Sequence, residues 1–207
     1  KYFKSNRKNQ KIVIEQIEFI AVTLSIIYVI LASRENHNCW YFGILSVSVY
    51  IYICLDALLY AETLLQIVYL FLSFYGLYNW KKKSIVNEPL ENTKVLKLKI
   101  SEWPIKKHFT YILIFTILSF SIGILLNSFT KSELPFIDAF TTSFSLLATY
   151  MTVKKVLENW LYWIIIDLTS VFLYHERDLH LTAFLFIIYT VIATFAYFNW
   201  KSKSFNA

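Results

Sequence analysis

The chain has 207 residues, of which 57% are hydrophobic and only 16% are charged. Soluble domains are nearer half apolar and about a quarter charged, so this composition excludes an ordinary soluble protein and indicates a membrane protein. The net charge of +6 could suit a nucleic-acid-binding protein, but the lysines flank long apolar runs, so we expect a lipid bilayer and no nucleic acid as partner.

The apolar runs predict seven transmembrane helices, because a membrane span needs about 20 mostly apolar residues. In chain order they cover roughly residues 12–32, 40–55, 58–80, 109–127, 136–153, 159–174 and 179–200. Only three glycines and three prolines occur in the chain, so we expect mostly continuous helices.

The spans and the polar stretches between them divide the chain into five segments. Residues 81–107 form the one long polar stretch, and the piece Val95–Pro104 alternates lysine with apolar residues, a pattern that favours the membrane surface. The predicted segments are a first three-helix repeat with a basic N-terminal tail (1–80), a basic cytoplasmic loop (81–107), a linking helix (108–130), a second three-helix repeat (131–200) and a C-terminal tail (201–207).

An offset of 120 residues relates the two three-helix segments without a gap. It pairs Trp40 with Trp160, and Asn79-Trp80-Lys81 with Asn199-Trp200-Lys201. Because an odd number of helices plus one linking helix makes two repeats run parallel, we predict an all-α membrane protein of 3+1+3 architecture. A substrate site is then expected between the halves, near the middle of the membrane.

Charge in the loops favours a cytoplasmic C-terminus under the positive-inside rule. That side then holds the 81–107 loop, Lys154 and Lys155, whereas the outside holds Lys131 and Arg177. The basic N-terminal tail, which this orientation places outside, departs from the rule.

The sixth span carries an aromatic and acidic stripe. Trp160, Trp163 and Asp167 follow helical spacing and share one face. An aspartate inside a span is costly and usually faces a cavity or a partner, so the stripe is a candidate substrate site. For Trp160, at the edge of the span, an interfacial aromatic belt is the competing interpretation. Asn159 could bind an amide or hydroxyl group of the substrate.

The third span carries a second polar stripe, made of Glu62, Gln66, Tyr69 and Ser73. Hydrogen bonds between helices are the alternative use of such a stripe. Two further candidates lie on the second and fifth spans: Tyr50 and Thr149. The hydroxyl stripe around Thr149 more often serves close helix packing than ligand binding.

The sequence contains no motif that indicates an enzyme or a metal site. His175 and His180 stand five residues apart, so they do not share a helix face as the histidines of a zinc-protease H-E-x-x-H motif do. We expect no cofactor, no metal and no enzymatic activity. A membrane enzyme that uses Asp167 and Glu62, or a non-transporting membrane subunit, are the competing hypotheses.

Several segments together resemble the PnuC family of vitamin transporters, over residues 17–200 or so. The segments are Asn38-Cys39-Trp40-Tyr41-Phe42-Gly43-Ile44, Leu59-Tyr60-Ala61-Glu62 with Leu65-Gln66, Tyr75-Gly76 with Tyr78 and Trp80, Leu134-Pro135-Phe136-Ile137-Asp138-Ala139, and Leu157-Glu158-Asn159-Trp160 with Trp163 and Asp167. The resemblance implies a seven-helix core of two repeats, assembled as a homotrimer in the inner cell membrane. It also implies facilitated diffusion of nicotinamide riboside, with a cytosolic kinase trapping the substrate by phosphorylation.

In the same resemblance, Trp160 and Trp163 match the W-x-x-W substrate motif. The chain departs from the family at Glu62, at Tyr41-Phe42 and at Thr149, where relatives usually have Asp, a Trp-Pro or similar pair, and Gln. Since related carriers transport thiamine or riboflavin, these vitamins are the alternative substrates.

Overall fold

The structure is a computed structural model that describes residues 2–82, 84–86, 94–96, 98–130 and 132–205. These residues form seven helices and two short strands. The helices are α1 (Tyr2–Ser33), α2 (Cys39–Asp56), α3 (Tyr60–Lys81), α4 (Ile105–Phe129), α5 (Pro135–Val153), α6 (Asn159–Glu176) and α7 (His180–Phe205). Strands β1 (Ser84–Val86) and β2 (Lys94–Leu96) pair antiparallel.

Each predicted span coincides with one helix, and the chain is a multi-pass membrane protein. Within the described residues, four helices are long and apolar enough to cross a membrane by length and composition alone: they lie at Gln16–Ser33, Cys39–Asp56, Ile105–Phe129 and His180–Ser204. Helices α3, α5 and α6 are more polar. They carry most of the candidate site residues.

Two structural details lie beyond the predicted segments. The predicted N-terminal tail is helical from Tyr2 onward, because residues 2–33 contain no glycine or proline that would end a helix. The predicted 81–107 loop contains the β1–β2 ribbon, so the described chain is all-α except for these two strands. In the piece predicted to lie on the membrane surface, Ser101 forms a parallel bridge with Val156. That contact satisfies backbone groups which would otherwise need water.

The helices divide into two compact units, Lys1–Lys81 and Lys82–Ala207. Within the first unit, α2 packs against both α1 and α3. Within the second unit, consecutive helices from α4 to α7 pack against one another. The core of the second unit is built by α5, the α5–α6 turn and α6: Phe144, Leu147, Ala148, Met151, Val156 and Ile166.

Helix ends in the first unit are related to helix ends in the second unit by the offset of 120 residues. Helix α2 spans Cys39–Asp56 and α6 spans Asn159–Glu176, so both ends are displaced by the same number. Four helices end in a Schellman turn, whose closing residue has a positive φ: Glu35, Leu58, Lys155 and Asp178. These also form two pairs at the same offset, so the two units end corresponding helices in the same way.

A buried pair of tryptophans recurs in both units. Trp40 and Trp80 pack edge to face with ring centroids 5.4 Å apart, and Trp160 and Trp200 repeat that arrangement at 5.4 Å. All four rings are at most 6% exposed. The ring of Trp40 also lies against Gly76, where a Cβ atom would be 2.4 Å from the indole.

Candidate functional site

The stripe predicted on α6 faces the protein interior. Trp160 is 3% exposed and Asp167 is 4% exposed, and Ser170 one turn further is equally buried. Trp163, between them, is half-buried. Trp160 is therefore a core residue and not part of a belt at the membrane surface. The interfacial interpretation fails for it because the ring packs against Trp200.

Trp163 is positioned by α5 and by the aromatic side of the core. Its indole Nε1 lies 3.5 Å from the Thr152 hydroxyl, at the outer limit of a hydrogen bond. The ring packs against the buried core of the second unit, together with Trp103 and Tyr162. Because it is only half-buried, Trp163 is the tryptophan of this pair that can offer a ring face to a ligand.

Asn159 and Thr149 are occupied by hydrogen bonds within the protein. Asn159 is fully buried; it accepts a bond from Thr152 at 3.0 Å and donates one to the Val156 carbonyl at 2.6 Å. Thr149 donates to the carbonyl of Ser145 in its own helix at 2.8 Å. These contacts favour a role for Asn159 in holding the α5–α6 turn. Substrate contact by either residue stays a prediction.

Asp167 is the buried carboxylic acid of the stripe. Among the residues that the structure describes, none donates a hydrogen bond or forms an ion pair with it. Three buried side-chain atoms elsewhere among the described residues also lack a hydrogen-bond partner: Trp40 Nε1, Trp160 Nε1 and Ser143 Oγ. A buried polar group without a partner costs free energy, so such groups mark places where a ligand, a proton or water can contribute.

The candidates of the first unit lie on α2 and α3. Ser73 is buried, and its hydroxyl would be 3.6 Å from a Cβ atom at Gly43. Gln66, Tyr69 and Tyr50 are half-buried, whereas Glu62 is exposed. The first unit thus contains five candidates, and the second unit contains Thr149, Asn159, Trp160, Trp163 and Asp167.

Sequence analysis did not single out a polar cluster at the start of α6. His108 of α4 contacts Glu158 and Tyr162 of α6, with a 2.9 Å hydrogen bond to the tyrosine hydroxyl. Glu158 and Tyr162 are four residues apart and therefore share a helix face, which was the available signal. Their partner on another helix could not be inferred from that spacing.

A second ion pair lies at the opposite end of α6. Arg177 donates to the Asp138 carboxylate at 2.6 Å, and the Ser132 hydroxyl donates to the same oxygen at 2.5 Å. Arg177 and Asp138 are 27% and 21% exposed. The pair ties the start of α5 to the α6–α7 turn. No group of three or more His, Cys, Asp or Glu side chains that could hold a metal ion occurs among the described residues.

Polar and aromatic side chains buried within the helices of a multi-pass membrane protein are features from which carriers form their substrate sites. Comparison with known proteins agrees with this class. Residues 15–202 match the model of the nicotinamide mononucleotide transporter family, and the chain belongs to this family.

Individual relatives, at low sequence identity, are also transporters. The chain is 25% identical over 194 residues to the nicotinamide riboside transporter PnuC of Escherichia coli strain K12, covering 86% of this chain and 81% of the relative. It is 24% identical over 191 residues to the PnuC of Neisseria mucosa, covering 87% and 70%. Its fold is similar to the crystal structure of the vitamin B3 transporter PnuC, with a TM-score of 0.70, 21% identity, and coverage of 92% of this chain and 83% of that one.

Proposed function

We propose that this protein takes up nicotinamide riboside, or a related vitamin, across the inner cell membrane by facilitated diffusion. The observation that carries the proposal is the α6 stripe, where half-buried Trp163 and buried Asp167 lie on one helix face inside a transporter of this family. The relatives named as nicotinamide riboside transporters indicate the substrate class.

A comparison of the two repeats supports Trp163 and Asp167 as functional residues. Trp160 has its counterpart in Trp40, and both pack edge to face against a second tryptophan, so these rings serve the shared fold. Trp163 instead corresponds to Gly43, and Asp167 to Val47. Side chains that occur in one half only are not needed by the repeat itself. They are available for an asymmetric ligand.

The third helix of each repeat shows the same asymmetry. Gln66 corresponds to Phe186, Ser73 to Ala193, and Glu62 to Thr182. The polar stripe therefore occurs in the first half, while the aromatic and acidic stripe occurs in the second. We propose a 3+1+3 arrangement of parallel repeats whose unlike faces recognise different parts of the substrate, and to which Tyr50 and Tyr69 contribute further aromatic surface.

The chemistry of the stripe suits a cationic aromatic ring. Nicotinamide riboside and thiamine both contain one, and each Trp or Tyr face attracts such a cation by about 0.5–2 kcal/mol. The Asp167 carboxyl group can add an electrostatic or hydrogen-bonding contact. Gln66 can bind the amide or the ribose hydroxyls. Thiamine and riboflavin stay as alternatives because Thr149 stands where relatives usually have glutamine.

The remaining parts of the proposal follow from the family. We propose a homotrimer, and we propose that phosphorylation by a cytosolic kinase traps the vitamin after it crosses the membrane.

Tryptophan fluorescence of the purified protein tests the proposal. Titration with nicotinamide riboside should give saturable quenching, because the ligand would stack near Trp163. Trp163→Ala should weaken binding by about tenfold or more, the loss of one strong cation–π contact. Phe198→Ala is the matched control, since it removes an aromatic ring that is 62% exposed.

Two outcomes would contradict the proposal. Unchanged affinity for nicotinamide riboside in both Trp163→Ala and Gln66→Ala would rule out the proposed binding site. Saturable binding of thiamine or riboflavin, but not of nicotinamide riboside, would keep the carrier and change its substrate.

A further inference from the structure

A polar cluster joins α4 and α6 beside the candidate site. The His108 ring lies between two groups of α6: its Nδ1 is 2.9 Å from the Tyr162 hydroxyl, and its Nε2 is 3.9 Å from a Glu158 carboxylate oxygen. That oxygen also accepts a hydrogen bond from the Trp103 backbone N–H at 3.3 Å. The side chains of His108 and Glu158 are 12% and 20% exposed, so water screens their interaction only weakly.

The cluster holds the helical turn that carries the tryptophans of the site. Glu158 is the N-cap residue of α6 and directly precedes Asn159 and Trp160. Tyr162 directly precedes Trp163, and both rings pack on the same core. A change in the bonds of Glu158 or Tyr162 therefore acts on the first turns of α6.

Backbone hydrogen bonds strengthen the same connection. Ser101 donates to the Lys155 carbonyl at 3.0 Å, and the Leu157 N–H donates to the Ser101 carbonyl at 2.8 Å. The segment that precedes α4 is thus paired with the segment that precedes α6. His108 lies within hydrogen-bonding reach of α6 because this pairing fixes the start of α4.

The first repeat has no equivalent of this cluster. The counterparts of Glu158 and Tyr162 are Asn38 and Phe42, which lack the carboxylate and the hydroxyl group. The cluster is therefore not required by the repeated fold. It belongs to the half of the chain that carries Trp163 and Asp167.

We propose that His108 and Glu158 are positioning residues for Trp163, and that a proton on His108 tightens substrate binding; this inference rests on the function proposed above. A neutral imidazole protonated on Nε2 accepts from the Tyr162 hydroxyl and carries no charge, whereas an imidazolium donates to that oxygen and is a cation 3.9 Å from the Glu158 carboxylate. Opposite charges at this distance attract each other, so the contact with Glu158 is stronger in the protonated state. Protonation therefore fixes the start of α6 more firmly against α4.

Other charged and titratable groups occur on each element around His108. Of these, Glu158 and Tyr162 contact the His108 ring, and the same elements also carry Lys107 and Tyr111 (α4), Glu102 (the preceding segment), and Tyr150 and Lys154 (α5). Lys107 is directed toward the Trp103 ring, with its Nζ 3.9 Å from the ring centroid. Histidine is the type among these that ordinarily changes charge between about pH 5 and 8. A change of affinity in that range that is lost in His108→Gln but kept in His175→Gln therefore reports on His108.

The test is a titration of the purified full-length protein with nicotinamide riboside at about pH 5.5 and pH 8, either side of the usual histidine range. We expect the unsubstituted protein to bind about three- to tenfold more tightly at the lower pH, the effect of one partly buried ion pair. His108→Gln and Glu158→Gln should lose this difference. His175→Gln, a change to an exposed histidine at the other end of α6, should keep it.

A second readout needs no ligand. The rings of Trp103 and His108 are 5.7 Å apart, and an imidazolium quenches a neighbouring indole. Acidification should therefore reduce the emission of the free protein, and both His108→Gln and Trp103→Phe should remove that change. If His108→Gln does not fold, Tyr162→Phe removes only a hydroxyl group and should reduce the pH difference in affinity.

The outcomes separate this inference from the proposed function. Binding without any pH difference, or a pH difference retained in His108→Gln and Tyr162→Phe, overturns the positioning role and leaves the carrier intact. A protein that binds no nicotinamide riboside at either pH overturns the proposed function and this inference with it. Loss of the pH difference in His108→Gln but not in His175→Gln supports it.

Discussion

At the scale of single residues, the tryptophans divide into those that serve the fold and those available to the substrate. Trp40 and Trp160 occupy equivalent positions and make equivalent edge-to-face pairs. Edge-to-face aromatic pairs contribute about 0.5–1.5 kcal/mol beyond the area they bury. Trp163 has no aromatic counterpart, since Gly43 stands at the equivalent position, and it is only half-buried. The W-x-x-W motif thus combines a ring that packs in the core with a half-buried ring that we propose binds the ligand.

The packing of Trp40 makes Gly76 a sensitive position. A Cβ atom there would lie 2.4 Å from the indole, and Trp40 is itself fully buried. The ring has nowhere to move, so Gly76→Ala should destabilise the protein by about 1–3 kcal/mol, as overpacking of a core does. Thermal unfolding in detergent measures this effect.

Gly123→Ala is the control for that change. It brings a Cβ atom equally close, 2.4 Å, to the ring of Phe136. Phe136 is 44% exposed, so its ring can rotate away. The melting temperature should fall clearly less than for Gly76→Ala. Equal losses in both variants would show that Trp40 does not constrain α3.

The site residues were predictable only in part. Sequence spacing identified the face that carries Trp163 and Asp167, because an aspartate in an apolar helix stands out. It did not show that the Asn159 amide is occupied by Thr152 and Val156, since those contacts depend on the geometry of the α5–α6 turn. His108 was missed for the same reason: its partners lie about 50 residues away, at separations of 50 and 54.

At the scale of helices and turns, both repeats use Schellman turns closed by residues other than glycine. Leu58 has φ 57°, and the Leu59 N–H donates to the Cys54 carbonyl while the Leu58 N–H donates to that of Leu55. A left-handed residue with a Cβ costs roughly 1–2 kcal/mol. The turn persists because it satisfies carbonyls at the end of α2.

Leu58→Gly should therefore stabilise the protein. Glycine adopts the left-handed conformation without steric cost, and Leu58 is 67% exposed, so little packing is lost. We expect a gain of up to about 1 kcal/mol, measured by thermal unfolding. Leu45→Gly, on a 54% exposed position inside α2, should instead cost about 1 kcal/mol. A loss of stability in both variants would contradict the strain at Leu58.

Helices were predicted more accurately than the segments between them. Apolar runs define the seven helices because each must present a long apolar surface, and the observed ends differ from the predicted ones by a few residues for α2 to α7. The β1–β2 ribbon could not be inferred, since three residues per strand carry too little pattern. The extension of α1 to Tyr2 was missed because charge, not helix propensity, suggested a tail there.

At the scale of the molecule, the second unit has two chemically different ends. Since α5, α6 and α7 run back and forth, one end holds the start of α4 and the ends of α5 and α7. There, lysines lie over aromatic rings: Lys107 over Trp103, Lys154 over Tyr150 and Lys201 over Tyr197. At the other end, the charge of Arg177 is compensated by Asp138. Among the described residues of this unit, positive charge is thus concentrated at one end.

This asymmetry predicts the orientation of the chain in the membrane. By the positive-inside rule the lysine-rich end is cytoplasmic, and the Arg177–Asp138 end is external.

Glu133 and Lys203 are exposed and lie at these opposite ends, separated by α5, α6 and α7. A membrane-impermeant maleimide should label Glu133→Cys in intact cells, and Lys203→Cys only after permeabilisation. The two native cysteines, Cys39 and Cys54, are buried, so the unsubstituted protein gives the background. The reverse labelling pattern would place the C-terminus outside. His108 would then sense the pH of the external medium instead of the cytosol, and acid-dependent binding would become a property of uptake from the surroundings.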